Sequence, residues 1–557
     1  MLLTKRLSVS QCSRVISRLC HHASSLPVNE PSTDFTNSEI RTNLLKELHK
    51  IENEEIEIPC VVGGEKIYTG NTAYQVTPYR HQNRIAKIHF ADEALVNKAI
   101  NTSLAARDKW ENMPQDERSK IFTRVADLLT TKYRLSSLAA TMAGQSKVAI
   151  QADIDCVGEL ADFLRFNSHF AKGILDQIEI IQTEGVRNSI MPRGLEGFIV
   201  AISPFNFTAI GGNLATGPAI LGNVVLWKPA LTTTRASWMF YQILVEAGVP
   251  QGVINFLPSP GAMFGKTVTS SPDLAGLTFV GSGPTFKSLW KQIGNNIDIF
   301  KTFPRLSGEC GGKNFHFVHE TADIDLVVNC TMRAAFEYCG QKCSAVGRMY
   351  VPDTLWPQIK EKLLEAHKEI KMGEPSEFSN FLSAVIDEKA FESIKEFIDY
   401  AKESDDVTIL AGGNCDKSVG YYIEPTIAET RDPRNKLMEE EVFGPVLPIF
   451  VYPAKEYKET LKLVDETSGF GLTGAVFSKD NKVIAEARNI LKQAAGNFYI
   501  NDKATGSVVA QQPFGGSRMS GTNDKPGCYL NILPWMSPLS IKENQLPVSD
   551  WKYEYMK

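Results

Sequence analysis

Short stretches of the chain hold residue types that could do chemistry. Gly340-Gln341-Lys342-Cys343-Ser344-Ala345 sets a cysteine between a lysine and a serine, just past a helix-like run and a glycine. Thiolate is the reactive form of cysteine, and the Lys342 cation would favour it, so Cys343 is a candidate nucleophile. A small inert core residue is the other reading, since cysteine is often simply buried. Cys339, four residues earlier, could share a helical face with Cys343 and reads as core. Leu306-Ser307-Gly308-Glu309-Cys310-Gly311-Gly312-Lys313-Asn314 flanks one carboxylate with glycines. Such a loop brings backbone close to a ligand and leaves Glu309 room to swing, although a solvated loop glutamate has the same appearance.

Three more motifs follow β-rich runs. Ser203-Pro204-Phe205-Asn206-Phe207 comes after Phe198–Ile202, and loops at the carboxyl ends of parallel strands line ligand clefts. The Asn206 amide could stabilise an oxyanion or merely form a turn. Lys228-Pro229 comes after Val224–Trp227, where an ammonium could meet a ribose or phosphate. Gly281-Ser282-Gly283-Pro284-Thr285-Phe286 opens a helix, a position that suits a pyrophosphate. It is not GxGxxG, because its sixth residue is Phe286.

These motifs need elements to position them. The β-rich runs Phe198–Ile202, Val224–Trp227, Val253–Leu257 and Leu277–Val280 alternate with helical runs such as Thr232–Ala247 and Pro284–Ile293. Alternation of this kind predicts a parallel, doubly wound sheet. Helix-like segments at 92–110, 116–132 and 147–171 precede it, then a strand pair, Ile178–Thr183 and Val186–Met191, turning at Glu184-Gly185. After Gly312 the pattern restarts: strand Asn314–Val318, helix 324–338, strand Arg348–Val351, helix 355–371, strands at Thr408–Leu410 and Val446–Val451, helix 482–494 and strand Gly496–Asn501. Two α/β units therefore meet near 305–315, and the last 40 residues read as a packed arm.

Composition bounds the function. The 557 residues are 43% hydrophobic and 22% charged, with net charge −5, which excludes a disordered or collagenous chain and gives no basic surplus for nucleic acid. Ten cysteines without a CxxC pair fit a reducing compartment and no zinc site. Gly197–Trp227 runs 31 residues without a charge, long enough to span a bilayer, but two prolines, three asparagines and five glycines make it a buried strand, loop, helix and strand instead. Residues 1–29 carry Lys5, Arg6, Arg14, Arg18 and six serines with no acid, the composition of a mitochondrial transit peptide or of a plain disordered tail. Its removal would shift the net charge from −5 to −9.

The set SPFNF, WKPA, FVGSGPT, GECGGKN, GQKCSA, EEVFGPV and PFGGSRMSGTN, in this order, resembles the aldehyde dehydrogenase superfamily from about residue 60 to 540. The 34 residues from Glu309 to Cys343 match that family's base-to-nucleophile interval. The resemblance implies an α/β fold with a Rossmann-type cofactor domain, an α/β catalytic domain and a small oligomerisation hairpin and arm. The expected divisions are a leader at 1–29, a dinucleotide-binding domain at 30–308 with the hairpin at 178–191, a catalytic domain at 309–502, and a substrate loop with C-terminal arm at 503–557. It implies Cys343 as nucleophile, Glu309 as general base, and Asn206 with the Cys343 N–H as oxyanion hole. Ser203, Lys228, Gly281, Ser282, Gly283, Pro284, Thr285 and Glu441 match NAD-contacting positions. Ser344, Gly506 and Ser507 match positions that hold a substrate carboxylate, and Phe207 and Phe514 would wall its aliphatic part.

The wording FPRLSGECGGKNFHFVH, FEYCGQKCSA and TGSVVAQQPFGG resembles the branch of the family that oxidises L-glutamate γ-semialdehyde to glutamate with NAD in proline catabolism, in the mitochondrial matrix. A mitochondrial dehydrogenase of another semialdehyde, of the methylmalonate or succinate type, and a non-catalytic protein on this fold stand as alternatives. A small-molecule substrate, no nucleic acid, no membrane span, no metal, and a homodimer or higher homo-oligomer are expected. Two positions depart from the family pattern. Leu231 stands where many NAD-preferring relatives carry an acid, which leaves nothing there to repel a 2′-phosphate. Cys339 stands where relatives often have glycine, so a disulfide with Cys343 is conceivable if the geometry permits.

Overall fold

The computed structural model describes residues 26–174, 178–546 and 549–557. Most of the basic leader therefore lies outside the described residues, but Asn29 is already tied to the body: its Nδ2 donates to Asp162 Oδ2 at 2.7 Å and to Val509 O at 3.0 Å.

Two large sheets organise the described residues. In the first, Arg305–Glu309, Leu274–Val280, Phe198–Ile202, Val224–Lys228 and Ile254–Phe256 lie side by side and parallel, and Cys60–Val62 with Glu65–Ile67 extend one edge antiparallel. The central strands are unbroken apolar runs because helices cover both faces; Phe198, Val200, Val224 and Leu226 are wholly buried. The uncharged stretch 197–227 resolves into strand Phe198–Ile202, helix Thr208–Ile220 and strand Val224–Lys228. Among the described residues no helix is long and apolar enough to cross a membrane.

In the second sheet the order is Val407–Ala411, Thr426–Thr430, Val446–Tyr452, Val346–Pro352, Asn314–Val318, Thr473–Phe477 and Asn497–Ile500, parallel except for the edge strand Val407–Ala411. The chain passes between the sheets in the four residues from Cys310 to Lys313. A small third sheet, Ile56–Ile58, Arg80–His89 and Thr72–Thr77, was not apparent in the sequence pattern.

The expected hairpin at 178–191 does not form as such. Val186–Met191 is a strand, but its partner is Leu539–Asn544, antiparallel from Val186↔Asn544 to Met191↔Leu539. The 178–183 segment contributes one bridge, Thr183↔Val186, and side-chain bonds such as Gln182 Nε2 to Asn188 O at 2.8 Å. A strand's backbone groups are satisfied by whichever extended segment reaches its edge, and the C-terminal arm does so along six residues.

Candidate active site

Register at the carboxyl edge of the first sheet assembles half of the site. Ile202 pairs with Lys228 and Val280 with Glu309, so Ser203, Lys228, the Gly281–Thr285 loop and Glu309 share one edge. The Ser203 N–H donates to Lys228 O at 3.1 Å, and the Gly281 N–H to Glu309 O at 3.1 Å. The Ser203 hydroxyl accepts from Trp227 Nε1 at 2.7 Å, which fixes its oxygen. Ser282 caps the helix Gly283–Asn295, and Pro284 fits its first turn, where a missing N–H costs nothing. Among the described residues Lys228 Nζ has no acidic partner and reaches Pro229 O at 3.4 Å, and burial lowers its pKa to about 8.

The crossing between the sheets brings in the rest. Gly312 N–H donates to Glu441 Oε1 at 2.7 Å. A Cβ on Gly311 would lie 1.9 Å from Glu441 Oε2, and one on Gly312 would lie 2.6 Å from Cys343 O, so only glycines let this crossing touch both the carboxylate and the nucleophile turn. Burial raises the Glu441 pKa to about 7, against the pull of the Gly312 N–H and Lys313.

Glu309 is 8% exposed, and neither carboxylate oxygen has a hydrogen-bond partner among the described residues. Burial, then the Asp524 charge, hold its pKa well above the ordinary carboxylate range, opposed by Lys525 and, least of all, by the Gly516 N–H, which lies too far or too oblique for a good hydrogen bond. Half-buried Cys343 lies in its field: burial, then Glu309 and Glu441, push the thiol up, while the Ser344 N–H works the other way.

Lys342 does not activate Cys343 as expected from the sequence. Its ammonium is buried and bonded to Glu337 Oε2 at 2.8 Å, so its charge is answered within five residues. A carboxylate whose own basicity burial has raised is the better-placed acceptor for the thiol proton.

The turn carrying Cys343 is held in an uncommon conformation. Helix Ile324–Phe336 ends, and Tyr338, Cys339 and Gly340 all take positive φ, at 53°, 54° and 66°. At Gly340 a Cβ would sit 2.4 Å from Gly444 O. Cys339 therefore shares no helical face with Cys343, and its thiol donates to Ser383 O at 2.9 Å. All described cysteines are free. Asn206 is buried and donates one amide hydrogen to Gln341 O at 3.0 Å, which leaves the second without an acceptor among the described residues. The Cys343 N–H enters no hydrogen bond among the described residues.

Two site residues escaped the sequence reading. Asn314 clamps the nucleophile turn: Nδ2 donates to Cys343 O at 2.6 Å and Ala345 O at 2.7 Å, and Oδ1 accepts from Thr473 N at 3.0 Å. Thr505 puts its hydroxyl 2.7 Å from Ser344 Oγ, joining the Ser344 side of the site to Gly506 and Ser507. Ser344 thus already has a partner, whereas half-buried Ser507 has none among the described residues. Phe514 and Phe207 are half-buried. Gly515, next to Phe514, approaches Glu309 so closely that a Cβ there would lie 3.2 Å from Oε1. Phe207 carries Lys147 Nζ 4.1 Å from its ring centroid.

A half-buried cysteine in the field of a buried carboxylate that ends a strand at the carboxyl edge of a doubly wound sheet is an arrangement suited to cysteine-dependent acyl or aldehyde chemistry. The family model for the aldehyde dehydrogenase family matches residues 67–533, and the chain belongs to that family. It is 56% identical over 539 residues to the mitochondrial delta-1-pyrroline-5-carboxylate dehydrogenase of Homo sapiens, covering 96% of each chain. To the enzyme of that name from Dictyostelium discoideum it is 49% identical, covering 95% of this chain and 96% of the other. The crystal structure of the Mycobacterium tuberculosis delta-pyrroline-5-carboxylate dehydrogenase bound with NAD superposes with a TM-score of 0.92 at 42% identity, over 96% of this chain and 98% of that one.

Proposed function

We propose that this chain oxidises L-glutamate γ-semialdehyde, the open form of 1-pyrroline-5-carboxylate, to L-glutamate with NAD, in proline catabolism. Near-full-length identity to enzymes of that name carries the reading. The residues present fit the cofactor: the start of helix Gly283–Asn295 suits the pyrophosphate, the unpaired Lys228 ammonium and the free Glu441 Oε2 suit ribose hydroxyls. When bound, NAD supplies the acceptor for the hydride that leaves the aldehyde carbon.

The chain's own residues do the rest. Cys343 Sγ adds to the aldehyde carbon as its proton passes to Glu309, which releases it to solvent before it acts again. The carbonyl oxygen becomes an oxyanion between the Cys343 N–H and the second amide hydrogen of Asn206; one such donor is worth about 3–4 kcal/mol. Oxidation leaves a Cys343 thioester. Glu309 takes a proton from water, the hydroxide adds to the acyl carbon, and the C–S bond breaks to release glutamate and the thiolate. Ser507, the Gly506 backbone and Ser344 hold the α-carboxylate, and Phe207 and Phe514 enclose the methylenes.

We assign the protein to the mitochondrion, in the matrix, on the strength of its relatives' names and its basic leader. The pair formed by the largely half-buried Val186–Met191 and the fully exposed Leu539–Asn544 we assign to subunit contact in a homo-oligomer. The deciding experiment compares NADH formation from 1-pyrroline-5-carboxylate with that from succinate and methylmalonate semialdehydes. Preference for either competitor would overturn the substrate, and substantial turnover by Cys343→Ala would overturn the nucleophile.

A further inference from the structure

We propose that His316 is a positioning residue that sets the substrate-carboxylate loop through the Ala504 N–H. The inference rests on the placement of the α-carboxylate at Gly506 and Ser507 given above.

His316 lies in the strand Asn314–Val318, wholly buried, with its ring edge-on to Phe477 at 5.0 Å. Its Nε2 is 3.3 Å from the Ala504 N–H, and its Nδ1 is 2.9 Å from Thr331 Oγ1. A backbone N–H can only donate, so Nε2 is the bare nitrogen, the proton is assigned to Nδ1, and Nδ1–H donates to Thr331. Burial lowers the imidazole pKa to about 3, so the ring stays neutral across the working pH range and the Ala504 N–H decides which nitrogen is bare.

The bond falls where the substrate loop leaves the core. Ala504 is wholly buried, and three residues later Ser507 is half-exposed. Between them, Thr505 O accepts from Lys503 Nζ at 3.0 Å and its hydroxyl meets Ser344 Oγ at 2.7 Å. Thr331 sits on the helix Ile324–Phe336 that leads into the nucleophile turn. One imidazole therefore ties the nucleophile's helix, a central strand and the loop that receives the far end of the substrate. The distance from Cys343 to the carboxylate donors must match the substrate's length. A shift of about 1 Å at such a support is enough to spoil that match.

The test measures kcat/KM for glutamate γ-semialdehyde and for pentanal, an aldehyde without charge, in wild type, His316→Leu, His316→Asn and His316→Gln. Leucine has no acceptor, the asparagine amide is too short to reach Ala504, and glutamine can supply one. The ratio of the two efficiencies is expected to fall about tenfold in the leucine and asparagine variants, chiefly through KM, and to recover in the glutamine variant. Should the leucine variant fail to fold, the asparagine variant and Thr331→Val, which frees the ring to turn, carry the same expectation. Equal losses on both aldehydes, or an unchanged ratio, overturn the role of His316. A wild-type enzyme that does not prefer glutamate γ-semialdehyde to pentanal overturns the substrate reading instead.

Discussion

Glu309 and Asp155 are both buried carboxylates, and their surroundings are opposite. Asp155 is 0% exposed; it bonds Lys147 Nζ at 2.6 Å and accepts the Thr208 and Ala209 N–H groups at 3.1 and 2.8 Å. It thereby answers a buried cation and the open amides at the start of helix Thr208–Ile220, just behind Asn206. Among the described residues Glu309 has no ion pair and no well-formed hydrogen bond, only a small pull from the Gly516 N–H, although leaving a buried polar group unpaired costs folding free energy. Hydrogen bonds hold Asp155 in place, whereas the Glu309 carboxylate is left open to accept a proton, as the base role proposed for it requires.

Removal of each carboxylate should therefore act on a different quantity. Glu309→Gln should lower steady-state turnover by about 10²–10⁴-fold, the usual worth of a general base. Thioester should accumulate, giving an NADH burst followed by slow release in rapid-mix kinetics. Glu309 must be ionised to act, and its pKa is raised, so wild-type deacylation should fall as pH drops through a value above the usual carboxylate value of about 4.3. That limb should vanish in the variant. A raised folded-state pKa means that the carboxyl favours folding below its unfolded pKa and that this contribution fades as pH rises toward the folded one. Glu309→Gln should accordingly leave thermal stability at pH 7 unchanged or raised. A burst-free variant of wild-type speed would place the base elsewhere.

Asp155→Ala should do the reverse. It strands Lys147, 1% exposed, without its counter-ion, and breaking such a pair costs about 3–5 kcal/mol. Denaturant unfolding should report the loss. The double variant Asp155→Ala with Lys147→Met should regain part of it, because no charge is then left buried. If the single variant matches wild-type stability, the contrast between the two carboxylates has no energetic basis.

The contrast also explains what could be read from the sequence. Phe198–Ile202 was legible because a strand buried on both faces must be an unbroken apolar run, and the helix at 283–295 because Ser282 and Pro284 mark its start. Cys343, Glu309 and Asn206 stood out as candidates through motif order. Partner choice was not. Lys342 looked like an activating cation until its bond to Glu337 appeared, and Asn314 carried no sign that its amide would grip Cys343 O. The pairing of Val186–Met191 with Leu539–Asn544 joins segments about 350 residues apart, where local pattern carries no information.

A third variant asks whether an unpartnered polar group marks function when it carries no charge. Ser507 has no hydrogen bond among the described residues, whereas Thr505 and Ser344 satisfy each other. Ser507→Ala should lower efficiency on glutamate γ-semialdehyde by roughly ten- to a hundredfold, about 1.5–3 kcal/mol for a bond to a charged group. Oxidation of pentanal, with no carboxylate to read, should change far less. Equal losses would mean that Ser507 supports the loop or Cys343 instead of reading the substrate.

The smallest effect should come from Lys228, the cationic counterpart of Glu309. Its ammonium is largely buried, has no acidic partner among the described residues, and has a pKa lowered by burial to about 8. Leu231, three residues on and 40% exposed, leaves that edge of the cofactor site without the acid that would repel a 2′-phosphate. A charged Lys228 can pair with such a phosphate, so NADP should be used measurably, though less well than NAD. Lys228 binds the phosphate only while protonated. The efficiency with NADP relative to NAD should therefore fall as pH rises through about 8, by at most about tenfold between pH 6.5 and pH 9, over which the ammonium goes from almost wholly protonated to about one-tenth protonated. Lys228→Met should flatten the pH dependence of the ratio and lower it at pH 7. A wild-type ratio that is constant between pH 6.5 and pH 9 would mean that Lys228 does not meet the 2′-phosphate, and an absent partner would then mark function for carboxylates in this site but not for its ammonium.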